Sequence, residues 1–75
     1  MTTPILRRRL KAALALRGQS IRSWSIAQGY SEAEVWHQIS GRREYAHILL
    51  AIADVLGENV GAVRDEIATM VEAGT

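Results

Sequence analysis

Ser20-Ile21-Arg22-Ser23-Trp24-Ser25-Ile26-Ala27-Gln28-Gly29-Tyr30-Ser31-Glu32-Ala33-Glu34-Val35-Trp36-His37-Gln38-Ile39-Ser40-Gly41 reads as two short helices joined by a tight turn. Ser20 is a helix cap, and Ile21, Trp24 and Ser25 fall on one helical face. Gly29 ends that helix and supplies the positive φ that a sharp reversal needs. The next four residues but one, Ser31-Glu32-Ala33-Glu34, form a capping box: the Ser31 side chain can accept from the amide of Glu34, and Glu34 can reach back to that of Ser31. Within the helix from Ser31 to Ser40, Val35 and Ile39 lie one turn apart and make the buried stripe. Glu32, Ala33, Trp36, His37 and Ser40 therefore project the other way. Small Ser25 lets the two helices approach, and Val35 packs the second against the first.

Outward from this pair, the same helical periodicity recurs and glycine closes each segment, at Gly18, Gly29, Gly41 and Gly57. The first helix is expected to take Thr3 as its cap and Pro4 at its first position, with Leu6, Leu10, Ala13 and Leu14 on one face. A fourth helix is expected from Glu44 to Leu56, with Ile48, Leu49, Ile52, Ala53 and Leu56 as its apolar side. A fifth spans Gly61 to Glu72 and uses Val63, Ile67 and Met70. Trp24 and Tyr30 belong to the core, whereas His47 is a solvated side chain with no partner at a suggestive spacing. The expected fold is all-α, a compact bundle of about five short helices in one domain over residues 1 to 75, because a chain this short supports one modest core.

Composition narrows the function. Apolar residues make up 48% of the chain, yet Phe and Cys are absent, so Leu, Ile, Val and Ala must fill the core, and disulfides and thiolate metal sites are out. No leader and no membrane-spanning run is expected, since the apolar stretch Ile48 to Ala53 is too short to cross a bilayer. The expected setting is cytoplasmic, with no membrane partner. The net charge of +1 hides a polarity. Residues 1 to 43 carry eight basic residues (Arg7, Arg8, Arg9, Lys11, Arg17, Arg22, Arg42, Arg43) against Glu32 and Glu34, a net +6. Residues 44 to 75 carry Arg64 against six acids, a net −5. That asymmetry points to a front half that binds a polyanion. Catalysis has no comparable signal: there is no phosphate-binding glycine loop, nucleophile motif or metal-ligand spacing, so neither a cofactor nor a small-molecule substrate is expected.

On Trp24, Ser25, Gly29, Val35 and Gly41, followed by Ile52-Ala53-Asp54-Val55-Leu56-Gly57, the chain resembles the lambda-repressor and Cro-like helix-turn-helix proteins over residues 5 to 70. The segments Ser20 to Trp24 and Gly29 to Ser31 look most like the small Ner-type regulators of Mu-like phages and prophages. Gln28, Gln38 and Ser25 depart from the family pattern, the two glutamines at positions that are usually apolar and Ser25 in place of the customary Ala. The resemblance implies double-stranded DNA binding by a transcription regulator of repressor type, with the helix-turn-helix over about residues 20 to 40 and the helix 31 to 40 in the major groove. It implies base contacts from Glu32, Ala33, Trp36 and His37, and phosphate contacts from Arg22, Ser31, Ser40, Arg42 and Arg43. It also implies a homodimer on a palindromic operator, with Val60, Val63, Ile67 and Met70 either joining two copies or closing the monomer's own core. About two of Arg7, Arg8, Arg9 and Lys11 can face DNA, as neighbours on a helix diverge.

Two alternatives stay open on the residues alone. Glu32 suits a cytosine amino group, and equally the positive end of the helix dipole. The same fold also serves as a protein-binding adaptor or antitoxin, and acidic Asp65, Glu66 and Glu72 on the fifth helix suit a basic partner.

Overall fold

A single hydrophobic core draws on every helix of the chain, and the spacing of its residues sets where each helix lies. The computed structural model describes residues 5 to 73. It consists of α1 (Ile5–Ala15), α2 (Ile21–Gln28), α3 (Glu32–Ser40), α4 (Ala46–Leu56) and α5 (Val60–Ala73), with no strand among the described residues. Leu6, Leu10 and Leu14 recur at four-residue intervals and turn one side of α1 inward. They meet α4, which buries Ile48, Leu49, Ile52, Ala53 and Val55. Ile21 and Trp24 of α2, Val35 and Ile39 of α3, and Val63 and Ile67 of α5 close the same core. Each fully buried side chain of this kind contributes about 1.5–3 kcal/mol of transfer free energy.

The helix ends follow from local hydrogen bonding. In α2 the Ser20 Oγ accepts from the Ser23 amide at 3.0 Å, and the Ser20 amide donates to the Ser23 Oγ at 2.9 Å. Ser23 thus completes a reciprocal cap in which only Ser20 was expected. The four expected stops, Gly18, Gly29, Gly41 and Gly57, all have left-handed backbones with φ from 68° to 80°. At Gly29 this lets the glycine amide reach the Ile26 carbonyl and the Tyr30 amide reach the Ser25 carbonyl, which satisfies the last turn of α2 and redirects the chain within three residues. Ser25 is fully buried, and its hydroxyl donates to the Ile21 carbonyl at 2.7 Å, so the polar atom is satisfied inside its own helix.

Several boundaries differ from expectation. α4 starts at Ala46 with Tyr45 as its cap, because the Tyr45 amide is held by the Gln38 side chain and Tyr45 itself has an extended backbone, φ −115° and ψ 105°. α5 runs from Val60 to Ala73, one residue longer at each end than the periodicity required. On α4 it is Val55 that is buried, whereas Leu56 is half-buried; Ala13 and Met70 are also only half-buried. Thr3 and Pro4 lie outside the described residues. α5 turns 106° from the direction of α4, and no single helix among the described residues is long and apolar enough to cross a membrane.

Gly41 combines two constraints that Gly29 separates. A Cβ at Gly41 would lie 2.5 Å from the Val71 Cγ2 and 3.1 Å from the Ile67 Cγ2, whereas a Cβ at Gly29 would meet nothing within 4 Å. Gly29→Ala should cost about 1–2 kcal/mol, the strain of a left-handed alanine. Gly41→Ala should cost more, and Val71→Ala in the same chain should recover part of the difference. Urea unfolding of the native chain and the three variants checks this, and equal losses at Gly29 and Gly41 would rule out the contact with α5 as a constraint.

Candidate nucleic-acid interface

α3 is fixed at its start, along its inner side and at its end. The Ser31 Oγ accepts from the Glu34 amide at 3.1 Å, and the Ser31 amide donates to the Glu34 Oε1 at 3.2 Å, the reciprocal cap that the spacing called for. Val35 and Ile39 are buried in the core. At the other end the Gly41 amide donates to the Gln38 carbonyl and the Arg42 amide to the His37 carbonyl, in the same left-handed exit as at Gly29.

A third buried residue joins the inner side. Gln38 is 2% exposed, and its Oε1 accepts the amide of Tyr45, so this side chain ties the end of α3 to the start of α4. It was legible as a polar residue at an apolar position, and the hydrogen bond explains how the core tolerates it.

With the inner side occupied, the outward residues fall into two groups. Glu32, Ala33 and Ser40 are exposed, while Trp36 and His37 are half-buried. Trp36 packs against the core, and the Arg7 guanidinium carbon lies 4.5 Å from its ring centroid. Its face is thus covered by an α1 side chain, where a free ring on the outside of α3 was expected. The Ser31 hydroxyl oxygen is used by the cap but its hydrogen remains available to an acceptor. The Ser40 hydroxyl donates to the His37 carbonyl at 3.2 Å, so a phosphate contact from Ser40 requires that bond to be exchanged. Arg22 lies in the first turn of α2, and Arg42 and Arg43 follow α3 directly; all three are exposed and form no ion pair with a described residue.

Ion pairing sorts the charges. Arg9 donates to both carboxylate oxygens of Glu66, at 3.0 and 2.8 Å, and to the Glu58 Oε1. The hydrogen bond to Glu58 first, and that to Glu66 second, raise the Arg9 pKa. Arg64 pairs with Glu44 at 2.7 Å. Arg9 is thereby withdrawn from the basic cluster of α1, and Arg8 and Lys11 remain exposed with no ion pair to a described residue. These pairings join residues 20 to 57 apart in the chain, and no local spacing announces them.

The fifth helix is not a free apolar surface. Val63 and Ile67 are buried in the monomer's own core, which leaves Val60 and Met70 half-buried and Val71 exposed. An open groove of about 360 Å³ runs between the end of α3 and α5, lined by Gln38, Gly41, Arg43, Arg64, Ile67 and Val71 among others. His47 is exposed, in line with the expected solvated side chain, and its ring makes edge contacts with those of Tyr30 and Tyr45 at 5.3 and 6.2 Å, while Tyr30 in turn meets Trp24 at 5.8 Å. Among the described residues no three His, Asp or Glu side chains converge on a point that could hold a metal ion.

No protein-family model, no curated protein and no solved structure matches the chain.

Because Gln38 has a hydrogen-bonding role, Gln38→Met should destabilise the fold although it keeps the length of the side chain. Leaving the Tyr45 amide without its acceptor costs about 1–3 kcal/mol. Urea titration followed by Trp fluorescence measures this, and a variant as stable as the native chain would show that water replaces the glutamine.

Proposed function

We propose that this chain binds double-stranded DNA sequence-specifically as a small transcription regulator of repressor type, from a phage or prophage, with α2 and α3 as a helix-turn-helix and α3 in the major groove. The observation that carries the proposal is the sorting of charge. The acids Glu44, Glu58 and Glu66 are bonded to Arg64 and Arg9, while Arg22, Arg42 and Arg43, which flank α3 in the chain, are exposed and form no ion pair with a described residue. An α-helix fits the major groove in width, and α3 offers it a polar stripe between those cations.

In this reading Glu32, Ala33 and His37 meet base edges, together with whatever edge of Trp36 the Arg7 side chain leaves open. Ala33 suits a thymine methyl, His37 can donate or accept, and Glu32 can accept from a cytosine amino group. Arg22, Arg42, Arg43 and the Ser31 hydroxyl hold phosphates and set the register without reading sequence. One helix of nine residues makes few base contacts, which favours a homodimer on a palindromic operator. Since Val63 and Ile67 close the monomer core, such a dimer would have to use Val71 and the margins of Val60 and Met70. A protein-binding role through the acids of α5 has less support, because Glu66 is already held by Arg9.

Selection from random duplexes, followed by fluorescence anisotropy against salt, tests the proposal. A selected duplex should bind more tightly than a scrambled one, with affinity falling steeply as salt rises. His37→Ala should cost about 1–3 kcal/mol on the selected duplex and relax its sequence preference. Arg43→Ala should weaken all duplexes alike and reduce the salt slope by about one unit, whereas Arg9→Gln should leave that slope unchanged. Indifference to sequence at physiological salt would end the proposal.

A further inference from the structure

The run Arg7-Arg8-Arg9 is divided by the fold. Arg9 is neutralised by Glu58 and Glu66. Arg7, two residues earlier, has no carboxylate partner among the described residues, and its guanidinium lies over Trp36 of α3 instead. Its Nε is buried without a hydrogen-bond partner, and its Nη groups donate to no described residue. A guanidinium carries five N–H donors, and among the described residues the contact made by this charge is with the Trp36 ring.

The ring that holds it is itself anchored. Trp36 is half-buried and packs against the core, so it does not swing freely with its arginine. On α3 it stands one turn after Glu32 and Ala33 and one turn before Ser40, in the outward stripe. Arg7 therefore brings the charge of α1 to the edge of the same face that α3 presents. An aromatic surface attracts a guanidinium without neutralising it and without occupying its N–H groups, which leaves the Nη donors, though not the buried Nε, for an oxyanion. Lys11, one turn further along α1, is exposed and likewise forms no ion pair with a described residue.

We propose that Arg7 contacts a backbone phosphodiester of bound duplex and that Trp36 is the platform that positions it. This rests on the DNA reading above and adds to it a contact from outside the helix-turn-helix. It also gives Trp36 a positioning role in place of base readout.

The test measures anisotropy against salt on a selected and a scrambled duplex, for the native chain and for Arg7→Gln, Arg7→Lys, Trp36→Leu, Trp36→Phe and Arg7→Gln with Trp36→Leu, each checked for native helix content by circular dichroism. Arg7→Gln should lower the salt slope by about 0.9 on both duplexes, so that the loss of affinity between 50 and 200 mM salt shrinks about threefold. Arg7→Lys and Trp36→Phe, which keep a charge and a ring, should retain most of the slope. Trp36→Leu should lower it, and the double variant should go no lower than Arg7→Gln alone. If the native chain binds with a steep slope that Arg7→Gln leaves unchanged, the Arg7 contact is wrong while the DNA reading stands. An effect on the selected duplex alone would make Arg7 a base reader and overturn the phosphate assignment, and an unaltered slope in Trp36→Leu would remove the platform. Absence of salt-dependent binding by the native chain would overturn this inference and the DNA reading together.

Discussion

A helix of nine residues is unstable by itself in water, because nucleation consumes most of what its few hydrogen bonds return. Everything proposed for α3 depends on how the rest of the chain overcomes this. The capping box of Ser31 and Glu34 satisfies amides at one end, the exit through Gly41 satisfies carbonyls at the other, and Val35 and Ile39 enter a core to which all five helices contribute. Gln38 adds a tie to the start of α4. With the inner side fixed at three positions, rotation of α3 about its axis is blocked, and the stripe from Glu32 to Ser40 acquires a defined direction. Pre-organisation of that kind limits the ordering cost of binding.

Electrostatics then separates residues that hold the fold from residues left for a ligand. A net charge of +1 over 75 residues says little about partners, since opposite charges could cancel pair by pair on the surface. They do so only in part. Arg9 and Arg64 absorb three carboxylates of the back half, and these partly exposed pairs each contribute about 1 kcal/mol or less to stability. The remaining cations of the front half keep their full fields. Within a Debye length of about 8 Å at physiological salt, Arg42 and Arg43 act on whatever approaches the end of α3.

Much of the fold was legible because it is written in local rules. The left-handed glycines, both serine caps, the buried face of α2 and, Gln38 apart, that of α3 follow from residue type and spacing, and each was found where the pattern put it. Errors came where tertiary contact overrides local preference: the start of α4, which the Gln38 side chain sets from seven residues away, and the burial of Val55 in place of Leu56. Of the candidate interface, the exposed stripe and its flanking arginines could be read directly. The division of the α1 cluster could not, because Arg9 is chosen by acids 49 and 57 residues distant and Arg7 by a ring on α3. Nothing in a tripeptide of identical residues distinguishes one from the next.

The central claim is spatial: one face of the molecule, built on α3, is the surface that meets DNA. Backbone amide chemical shifts of the uniformly labelled chain, followed by NMR as a selected duplex is added, test it residue by residue. The account predicts that shifts concentrate from Ser31 to Arg43 and around Arg22, with α5 from Ala62 to Thr69 nearly unmoved. Shifts centred on α5 and on the groove beside Val71, with the amides of α3 unchanged, would contradict it.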